Sequence, residues 1–329
     1  MGRAACLRVC VLSKIILDRV GDVAAPRIGG GGAQAAVGAL LAAGEGECRL
    51  LAPAGIDLDA RLLGELEARG VVADIHLLPE VERTPGEDIV YDGEEMRWVP
   101  IGWEDWGKLT EWVPPVDNLE LDALHVLVEG GGQGEVEAAL RCASRPNPPF
   151  LSLEPVMHIV DAHAVEGLQR VSRLADVISP DLVTATHIAT LASVPLCANS
   201  AIGSRRSLDR AIPAIARGCA HALELREDAV LAIRDGRRGS YLLSPSYGTI
   251  KGRQLLHVPS FSVDVIDPTG AGNAYAGAIC ATLAMGMGVA EAATYASAVG
   301  AAFVSVDSWA PREMRASREW VREMVRSRC

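Results

Sequence analysis

The stretch that decides the fold of this chain is DVIDPTGAGNAYAG, residues 264–277. Its small residues Gly270, Ala271 and Gly272 let a ligand approach the backbone closely, because no bulky side chain stands in the way. The apolar run that follows, 274–285, contains no proline and few polar residues, so it predicts a buried helix. Backbone N–H groups at the start of such a helix bind an anion and stabilise charge that develops on a phosphoryl group. The stretch therefore predicts a phosphoryl-transfer site.

The residue after the glycines is Asn273, at a place where we expect a proton acceptor. An amide takes no proton at ordinary pH. A positioned general base contributes about 10²- to 10⁴-fold to a rate, but phosphoryl transfer depends mostly on positioning and electrostatic stabilisation. We therefore expect Asn273 to slow transfer without abolishing it. Glu129 and Glu154, near the ends of central strands, are candidates for a substitute base, and equally for helix or loop contacts.

Several residues of the stretch resemble the C-terminal signature D-T-x-G-A-G-D of the ribokinase-like sugar and nucleoside kinases, the PfkB family. The matching residues are Asp267, Thr269, Gly270, Ala271 and Gly272, and Asn273 stands where the signature has its catalytic aspartate. Residues 29–36, GGGGAQAA, resemble the family's N-terminal G-G-x-G-x-N-x-A, with Gln34 in place of asparagine. Further matches follow in the family's order: residues 55–57 resemble the G-x-D that opens the next helix, 178–181 the strand ending in P-N, and 233–239 the G-x-x-G turn near the nucleotide.

Two further departures from the family pattern concern side chains near the substrates. Gln34 is longer than the asparagine that contacts the phosphoryl acceptor, and the N-x-x-E that helps to hold the water shell of magnesium appears as DLVT, residues 181–184, without its glutamate. The chain is similar to a fungal and plant branch of the family in three features: the run 267–273, the glycine-rich motif and Leu153-Glu154-Pro155. In that placement Asn273 is a feature of the branch.

The resemblance implies a three-layer α/β fold, with helices on both faces of a mainly parallel sheet and a small β lid. It implies one domain over residues 1–329, into which lid segments at about 14–28 and 84–100 are inserted. The implied activity is transfer of the γ-phosphoryl group of ATP, with magnesium, to a hydroxyl group of a sugar, nucleoside or related metabolite. The alternative is a pseudokinase of the same fold that binds nucleotide or metabolite and acts as a regulatory or partner-binding protein.

The resemblance also assigns roles to individual residues. The residues expected to contact the acceptor are Asp18, Gly30, Gly31, Gly32 and Gln34. The residues expected to form the anion hole are Gly270, Ala271 and Gly272, with Asn273 at the base position. The residues expected on the nucleotide side are Arg234, Gly236, Gly239, Asp267, Thr269 and Asp181. Asp267 is expected to have a structural role or to bind a monovalent cation. Alternatives remain open: Asp18 as the cap of a turn, the four glycines as a flexible loop, and Arg234 as a side chain exposed to water.

Strand and helix patterns alternate along most of the chain, which predicts βαβ crossovers and a parallel sheet. Asp92-Gly93 interrupts this rhythm as a hairpin signal between two short apolar strands. The predicted strands are 7–13 (continuing irregularly to Asp18), 49–53, 72–77, 88–91, 96–99, 123–128, 150–153, 177–179, 230–234 and 241–243; the predicted helices are 33–43, 57–69, 134–144, 163–174, 181–193, 207–223 and 274–285, followed by C-terminal helices. The glycines near residue 30 do not complete a dinucleotide-binding G-x-G-x-x-G, and the chain has no G-K-[ST] of a P-loop.

Composition excludes other classes of function. The chain has 329 residues, 49% of them hydrophobic, and a formal net charge of −11, which argues against binding to nucleic acid or anionic membranes. No apolar stretch approaches the roughly 20 residues that span a bilayer, so we expect a cytoplasmic protein. The eight cysteines lack zinc-binding spacing, and we expect buried, reduced thiols and no metal site built by the protein, with magnesium entering with ATP.

Four tryptophans lie close together in a chain that is only 4% aromatic: Trp98, Trp103, Trp106 and Trp112. They fit a stacking platform for a substrate with a ring. They fit equally the packing of the lid, or a homodimer contact made through the lid, because tryptophan buries a large area even without a ligand.

Overall fold

We analysed a computed structural model that describes residues 6–20, 25–92, 95–129, 132–156, 162–191, 205–245, 253–306 and 309–328. The strands are β1 (Arg8–Leu12), β2 (Ile16–Val20), β3 (Arg27–Gly29), β4 (Glu47–Gly55), β5 (Val71–Leu78), β6 (Gly86–Asp92), β7 (Glu95–Ile101), β8 (Ala123–Val128), β9 (Phe150–Pro155), β10 (Val177–Ile178), β11 (Val230–Arg234), β12 (Ser240–Pro245) and β13 (Arg253–Val258). The helices are α1 (Gly32–Ala43), α2 (Ala60–Glu67), α3 (Trp106–Glu111), α4 (Gln133–Ala143), α5 (Ala162–Ser172), α6 (Leu182–Leu191), α7 (Arg205–Ala222), α8 (Ala271–Ala284), α9 (Val289–Val304) and α10 (Met314–Arg328).

The main sheet has nine strands in the order β13-β12-β11-β10-β9-β8-β1-β4-β5. The seven strands from β11 to β5 in this order run parallel, and only β12 and β13 at one edge are antiparallel. Helices connect the parallel strands and cover both faces. The predicted three-layer α/β fold with a mainly parallel sheet is therefore confirmed.

The side chains of β1 show how the two helical layers are separated. Val9 and Val11 point to one face and join a core formed with α1, α2, α8, α9 and α10. Cys10 and Leu12 point to the other face and join a core formed with α4, α5, α6 and α7. Because successive residues of a strand alternate between faces, an uninterrupted apolar strand supplies both layers at once.

A second, four-stranded sheet has the order β3-β2-β6-β7. Its strands lie in the two segments that the resemblance implies for the lid, although residues 21–24 and 93–94 are outside the described part of the chain. The prediction that the first strand continues to Asp18 is wrong. β1 ends at Leu12, and Asp18 lies in β2, which pairs with β3 and β6 rather than with the main sheet.

Most predicted elements are present, with ends that move by a few residues. The sequence reading missed α3 and β13. It also placed Asp57 at the start of a helix, but α2 begins at Ala60 and its cap is Asp59, which accepts a hydrogen bond from the Arg61 amide. Asp57 instead accepts hydrogen bonds from the Thr84 amide and hydroxyl, so it ties the loop after β4 to the entry of the small sheet.

Two helices from opposite ends of the chain, α1 and α8, pack together closely enough to bring their N-termini into one site. A Cβ added to Gly38 would lie 2.2 Å from the carbonyl oxygen of Ala274, and one added to Gly277 would lie 1.9 Å from that of Ala35. Glycine at these two positions therefore permits direct backbone contact. None of the helices that the structure describes is both long and apolar enough to cross a membrane.

The cysteines of the described segments take part in no disulfide. Five of them are buried, as expected, whereas Cys6 is exposed. The buried thiols are Cys10, Cys48, Cys142, Cys219 and Cys280; Cys197 and Cys329 lie outside the described residues. Burial raises the pKa of the Cys10 thiol to about 12, which makes it unreactive at neutral pH.

Candidate active site

The two glycine-containing motifs meet at the N-termini of α1 and α8. Gly31 precedes α1 with a φ of 75°, and a Cβ there would lie 2.5 Å from Nδ2 of Asn273. Gly270 precedes α8 with a φ of 79°, and a Cβ there would lie 2.5 Å from Cγ of Gln34. Both positions require glycine, for their backbone conformation and for space. The structure thus brings together the residues predicted for the acceptor and for the anion hole.

The start of α8 is open for an anion. No side chain in the described structure caps this end of the helix. Its first backbone N–H groups have no partner within the helix and carry the positive end of the helix dipole. Gly272 has no side chain to cover them. The arrangement can bind a phosphoryl group, as the sequence predicts.

Asn273, at the position of the expected base, is held by Glu154. Its Nδ2 donates a hydrogen bond of 2.9 Å to Glu154 Oε1, which comes from the end of β9. This contact orients the amide, so its carbonyl oxygen and its second N–H remain for an acceptor hydroxyl. The amide can accept a hydrogen bond from that hydroxyl but cannot take its proton.

Arg234, from the end of β11, lies beside the same helix N-terminus. Its Nη1 is 2.6 Å from Glu154 Oε1, and its side chain is only 11% exposed. A Cβ added to Gly272 would lie 2.9 Å from that Nη1. Of the two alternatives for Arg234, the structure shows the one near the anion hole rather than the one exposed to water.

Glu154 is also tied to the interior of the sheet. Its Oε2 lies 3.2 Å from Nε2 of His125 on β8, and the other ring nitrogen of His125 lies 2.9 Å from the Ser152 hydroxyl. These three residues are fully or almost fully buried. Glu154 therefore has a partner on each carboxylate oxygen, and it is poorly suited to accept a proton from a substrate.

Asp267, which the resemblance places near the nucleotide, pairs with an arginine that sequence reasoning missed. Arg27 Nη1 lies 2.6 Å from Asp267 Oδ2, while the Thr269 amide donates to Oδ1. Burial alone would raise the pKa of Asp267, but the hydrogen bonds from Arg27 and Thr269 hold it below its usual value. Asp267 thus fixes the loop before the anion hole as a carboxylate, and its binding of a monovalent cation stays a prediction.

Asp18 lies on β2, in register with Arg27 on β3 and with Glu87 on β6. Its carboxyl group covers Gly29, where a Cβ would lie 2.0 Å from Oδ1. Burial and the neighbouring Glu87 raise the pKa of Asp18 to about 8, and burial raises that of Glu87 to about 7. Asp18 therefore belongs to the small sheet, and its carboxyl group is buried against Gly29.

Glu129, which follows β8, is the second candidate base. It is 3% exposed, and its Oε2 has no hydrogen-bond partner in the described structure. Burial raises its pKa to about 8, although the nearby Lys14 counteracts the effect. Lys14 is fully buried, forms an ion pair with Glu135 and lies 5.4 Å from the ring centre of Trp106.

The turn predicted at the nucleotide side is a short 3₁₀ helix, Gly236–Arg238. Gly239 closes it with a φ of 97°, and a Cβ there would lie 2.1 Å from the Val258 carbonyl oxygen. Asp181 Oδ1 accepts a hydrogen bond from the Thr184 amide at the start of α6. This contact gives Asp181 a structural use as a helix cap, and its predicted role near magnesium remains untested.

Three of the four tryptophans have side chains in the described part of the structure. Trp103 and Trp106 stack with their ring centres 4.3 Å apart, and Trp103 Nε1 donates to the Gly86 carbonyl oxygen. Trp112 packs against His76, and both Trp112 and Trp106 pack against the cluster formed by Leu78, Val81 and Leu109. The Trp98 side chain lies outside the described part of the structure. Trp103 therefore packs against the small sheet, as the alternative of lid packing predicts.

Sequence reasoning missed several charged residues of the site: Lys14, Arg27, Glu87, His125 and Glu135. Lys14 was detectable, because a lysine between Leu12 and Ile15 interrupts an apolar run and must find a buried partner. The others gave no comparable signal, since only the tertiary fold brings them together. In the described part of the chain, no three histidine, cysteine, aspartate or glutamate side chains are grouped to hold a metal ion.

Comparison with known proteins agrees with the fold described above. The sequence profile described as "pfkB family carbohydrate kinase" matches residues 12–310. No curated protein matches the chain at a significant level of sequence similarity.

Three of the similar solved structures illustrate the likeness in fold. A ribokinase from Cryptococcus neoformans in complex with ADP has a TM-score of 0.76 at 16% identity, over 97% of this chain and 99% of that chain. A putative ribokinase II from E. coli in complex with ATP and Mg²⁺ has a TM-score of 0.67 at 18% identity, over 98% and 99%. An aminoimidazole riboside kinase from Salmonella enterica, complexed with aminoimidazole riboside and an ATP analogue, has a TM-score of 0.66 at 18% identity, over 97% and 99%.

Proposed function

This chain belongs to the pfkB family of carbohydrate kinases, and from that premise we propose that it transfers the γ-phosphoryl group of ATP to a hydroxyl group of a sugar, nucleoside or related metabolite. The observation that carries the proposal is the open N-terminus of α8, with the guanidinium group of Arg234 beside Gly272. A chain that no longer binds phosphate has no need for this combination.

Two features of the site fit the phosphates of ATP. The amides at the start of α8 donate to a bound anion, and Arg234 adds a positive charge within a largely buried setting. Nε of Arg234 is buried without a hydrogen-bond partner in the described structure, so it is free to donate to a phosphate oxygen. Magnesium bound to the nucleotide supplies further positive charge at the phosphates when ATP is present.

The acceptor hydroxyl would lie beside the contact between Gly31 and Asn273. A Cβ at Gly31 would lie 2.5 Å from Asn273 Nδ2, so glycine there permits the close approach of the two residues, and the hydrogen bond to Glu154 fixes the amide in place. The amide oxygen then accepts a hydrogen bond from the hydroxyl and points the oxygen lone pair of the substrate at the γ-phosphorus. Such positioning supplies much of the acceleration of phosphoryl transfer.

The proton of the hydroxyl needs another destination, and Glu129 is the better candidate of the two glutamates. Glu154 is occupied by Arg234, Asn273 and His125, whereas Glu129 has an oxygen without a partner. A Cβ at Gly31 would contact Leu127, two residues before Glu129, as well as Asn273, and this proximity supports a role for the end of β8 near the acceptor. A base with a pKa of about 8 works well near neutral pH.

A second candidate function is that of a pseudokinase, which binds nucleotide or metabolite without turnover. It is favoured by the same Glu154, because this residue already satisfies Asn273 and Arg234 in the absence of a substrate. It is also favoured by the use of Asp181 as a helix cap. Placement in the fungal and plant branch, a single domain and association through the small sheet all stay predictions.

Calorimetric titration of magnesium–ATP tests the phosphate site. A valine at Gly272 would displace Arg234 and cover the amides, so we expect Gly272→Val to weaken ATP binding at least about tenfold. The matched control is Gly64→Val in α2, because a Cβ added there meets no atom within 4 Å. If wild type binds no ATP, or if Gly272→Val binds it as wild type does, the phosphate site is wrongly placed.

A further inference from the structure

The site contains more buried carboxyl groups than cationic side chains. Three cationic side chains lie there, and each already has a carboxylate partner: Lys14 pairs with Glu135, Arg27 with Asp267, and Arg234 with Glu154. Three further carboxyl groups each have a buried oxygen without a hydrogen-bond partner among the described residues: Asp18, Glu87 and Glu129. A buried carboxylate without a partner is costly, so such a group either holds a proton or takes a positively charged partner.

Two of the three unpaired groups are direct neighbours. Asp18 on β2 and Glu87 on β6 are register partners in parallel strands, so their side chains emerge on the same face of the small sheet. Asp18 is 5% exposed. Asp18 Oδ1 and Glu87 Oε1 are both buried and have no hydrogen-bond partner in the segments that the structure describes. Two adjoining acceptor groups are thus left for a donor from outside the chain.

Resting on the proposed kinase function, we propose that the acceptor substrate carries an ammonium group beside its hydroxyl groups, and that Asp18 and Glu87 bind it. An amine-bearing sugar, polyol or nucleoside fits this description. An ammonium group offers three N–H donors and one positive charge, so it satisfies both carboxylates at once. A neutral polyol offers hydroxyl donors but no positive charge, so it does not stabilise the ionised form of the pair. A metal ion fits less well, because the described residues provide no cluster of three metal-binding side chains.

The charged groups around the pair determine how this binding depends on pH. Arg27 on β3 and Asp267 face Asp18, and Glu87 faces Glu129 beyond it. With the pKa of Asp18 at about 8 and that of Glu87 at about 7, the free protein holds protons on the pair at neutral pH. A bound ammonium group stabilises the ionised forms, so these protons are released on binding. Affinity for an amine therefore rises between pH 6 and pH 8, where an aliphatic amine stays protonated.

Calorimetry with matched probes tests the inference. The probes are ribitol, sorbitol and mannitol, each beside its 1-amino-1-deoxy derivative, titrated into the full chain with magnesium and a non-hydrolysable ATP analogue. We expect at least one amine to bind about tenfold or more tightly than its parent polyol at pH 8, with a smaller preference at pH 6. Buffers of different ionisation enthalpy should show that protons are released. If no amine binds more tightly than its parent polyol, the inference is overturned.

Variants separate this inference from the kinase function. Glu87→Gln and Asp18→Asn, made one at a time, should each reduce the preference for the amine by about tenfold while ATP still binds. Glu111→Gln on the exposed surface of α3 is the control and should keep the preference. Retention of the full preference in both Glu87→Gln and Asp18→Asn would overturn the assignment to this pair. If the wild-type protein binds no ATP, the proposed function is overturned. If it binds ATP but prefers the neutral polyols to the amines, only the ammonium site is overturned.

Discussion

The side-chain amide of Asn273 and the carboxylate of Glu154 are 2.9 Å apart and joined by a hydrogen bond. A carboxylate at position 273 would face a second carboxylate at that distance, and two such charges repel strongly in a buried site. The asparagine is therefore matched to Glu154, and the two residues form one unit with Arg234. This relationship accounts for an amide rather than a carboxylate at position 273 beside Glu154.

The pairing predicts that a base cannot be restored by a single substitution. Asn273→Asp should raise turnover less than about tenfold, because repulsion from Glu154 raises the pKa of the new carboxyl group. Asn273→Asp combined with Glu154→Gln should raise it by about 10²-fold, since the amide of glutamine can donate to the new carboxylate. Steady-state rates of ADP formation provide the measurement, with Asn118→Asp on the exposed surface as control. Equal rates for the single and double variants would contradict the pairing.

Removal of Arg234 should impair both phosphate binding and stability. Arg234→Ala leaves Glu154 buried with its charge uncompensated, a loss that typically costs about 3–5 kcal/mol of the free energy of unfolding. We also expect kcat to fall by about 10²-fold, because a positive charge beside the anion hole is lost. Urea denaturation and steady-state kinetics measure the two effects. Arg61→Ala is the control, since its side chain is 90% exposed and pairs only with exposed Asp59.

Arg234→Ala combined with Glu154→Ala separates the two effects. Removal of both charges should recover much of the lost stability but none of the lost kcat. Recovery of kcat in this double variant would show that Arg234 has only a structural role.

The pKa of Glu129 predicts the pH dependence of catalysis. If Glu129 accepts the proton of the substrate, kcat should rise with pH and level off above an apparent pKa of about 8. Glu129→Gln should remove this rise and lower kcat by about 10²-fold at pH 8.5, with little change in the KM for ATP. A pH profile that keeps its shape in Glu129→Gln would show that the proton leaves by another route.

Stability should fall as pH rises through neutrality. The pKa values of Asp18, Glu87 and Glu129 are about 8, 7 and 8 in the folded chain, well above those of unfolded carboxyl groups. From about pH 5 to pH 7 the folded state binds more protons than the unfolded state, so each group lowers the free energy of unfolding by up to about 1.4 kcal/mol per pH unit. Urea denaturation over this range measures the slope. Glu129→Gln should reduce it, and an unchanged slope would contradict the burial of an ionisable carboxyl group there.

The alternation of strands and helices and the parallel sheet were predicted from local periodicity. The helices on both faces, the small sheet and the roles of the two glycine motifs were implied by the resemblance to the family. Strand β13 was missed, since its sequence RQLLHV does not alternate regularly between apolar and polar residues. Asp18 was assigned to the wrong strand, because the backbone stays hydrogen-bonded to β4 as far as Ile15 and enters the small sheet at Ile16 without a proline or glycine between them. The pairing of Arg27 with Asp267, 240 residues apart, depends on tertiary contacts that no local pattern encodes.

Acceptor-dependent formation of ADP from magnesium–ATP tests the central claim most directly. Wild type and Gly272→Val should be assayed with a panel of sugars, nucleosides and their amine-bearing derivatives, beside Gly64→Val. The kinase function predicts that at least one acceptor raises ADP formation above the acceptor-free rate, with transfer of phosphate to that acceptor, and that Gly272→Val loses this increase. Tight ATP binding without phosphorylation of any acceptor in the panel would contradict the kinase function and support the pseudokinase.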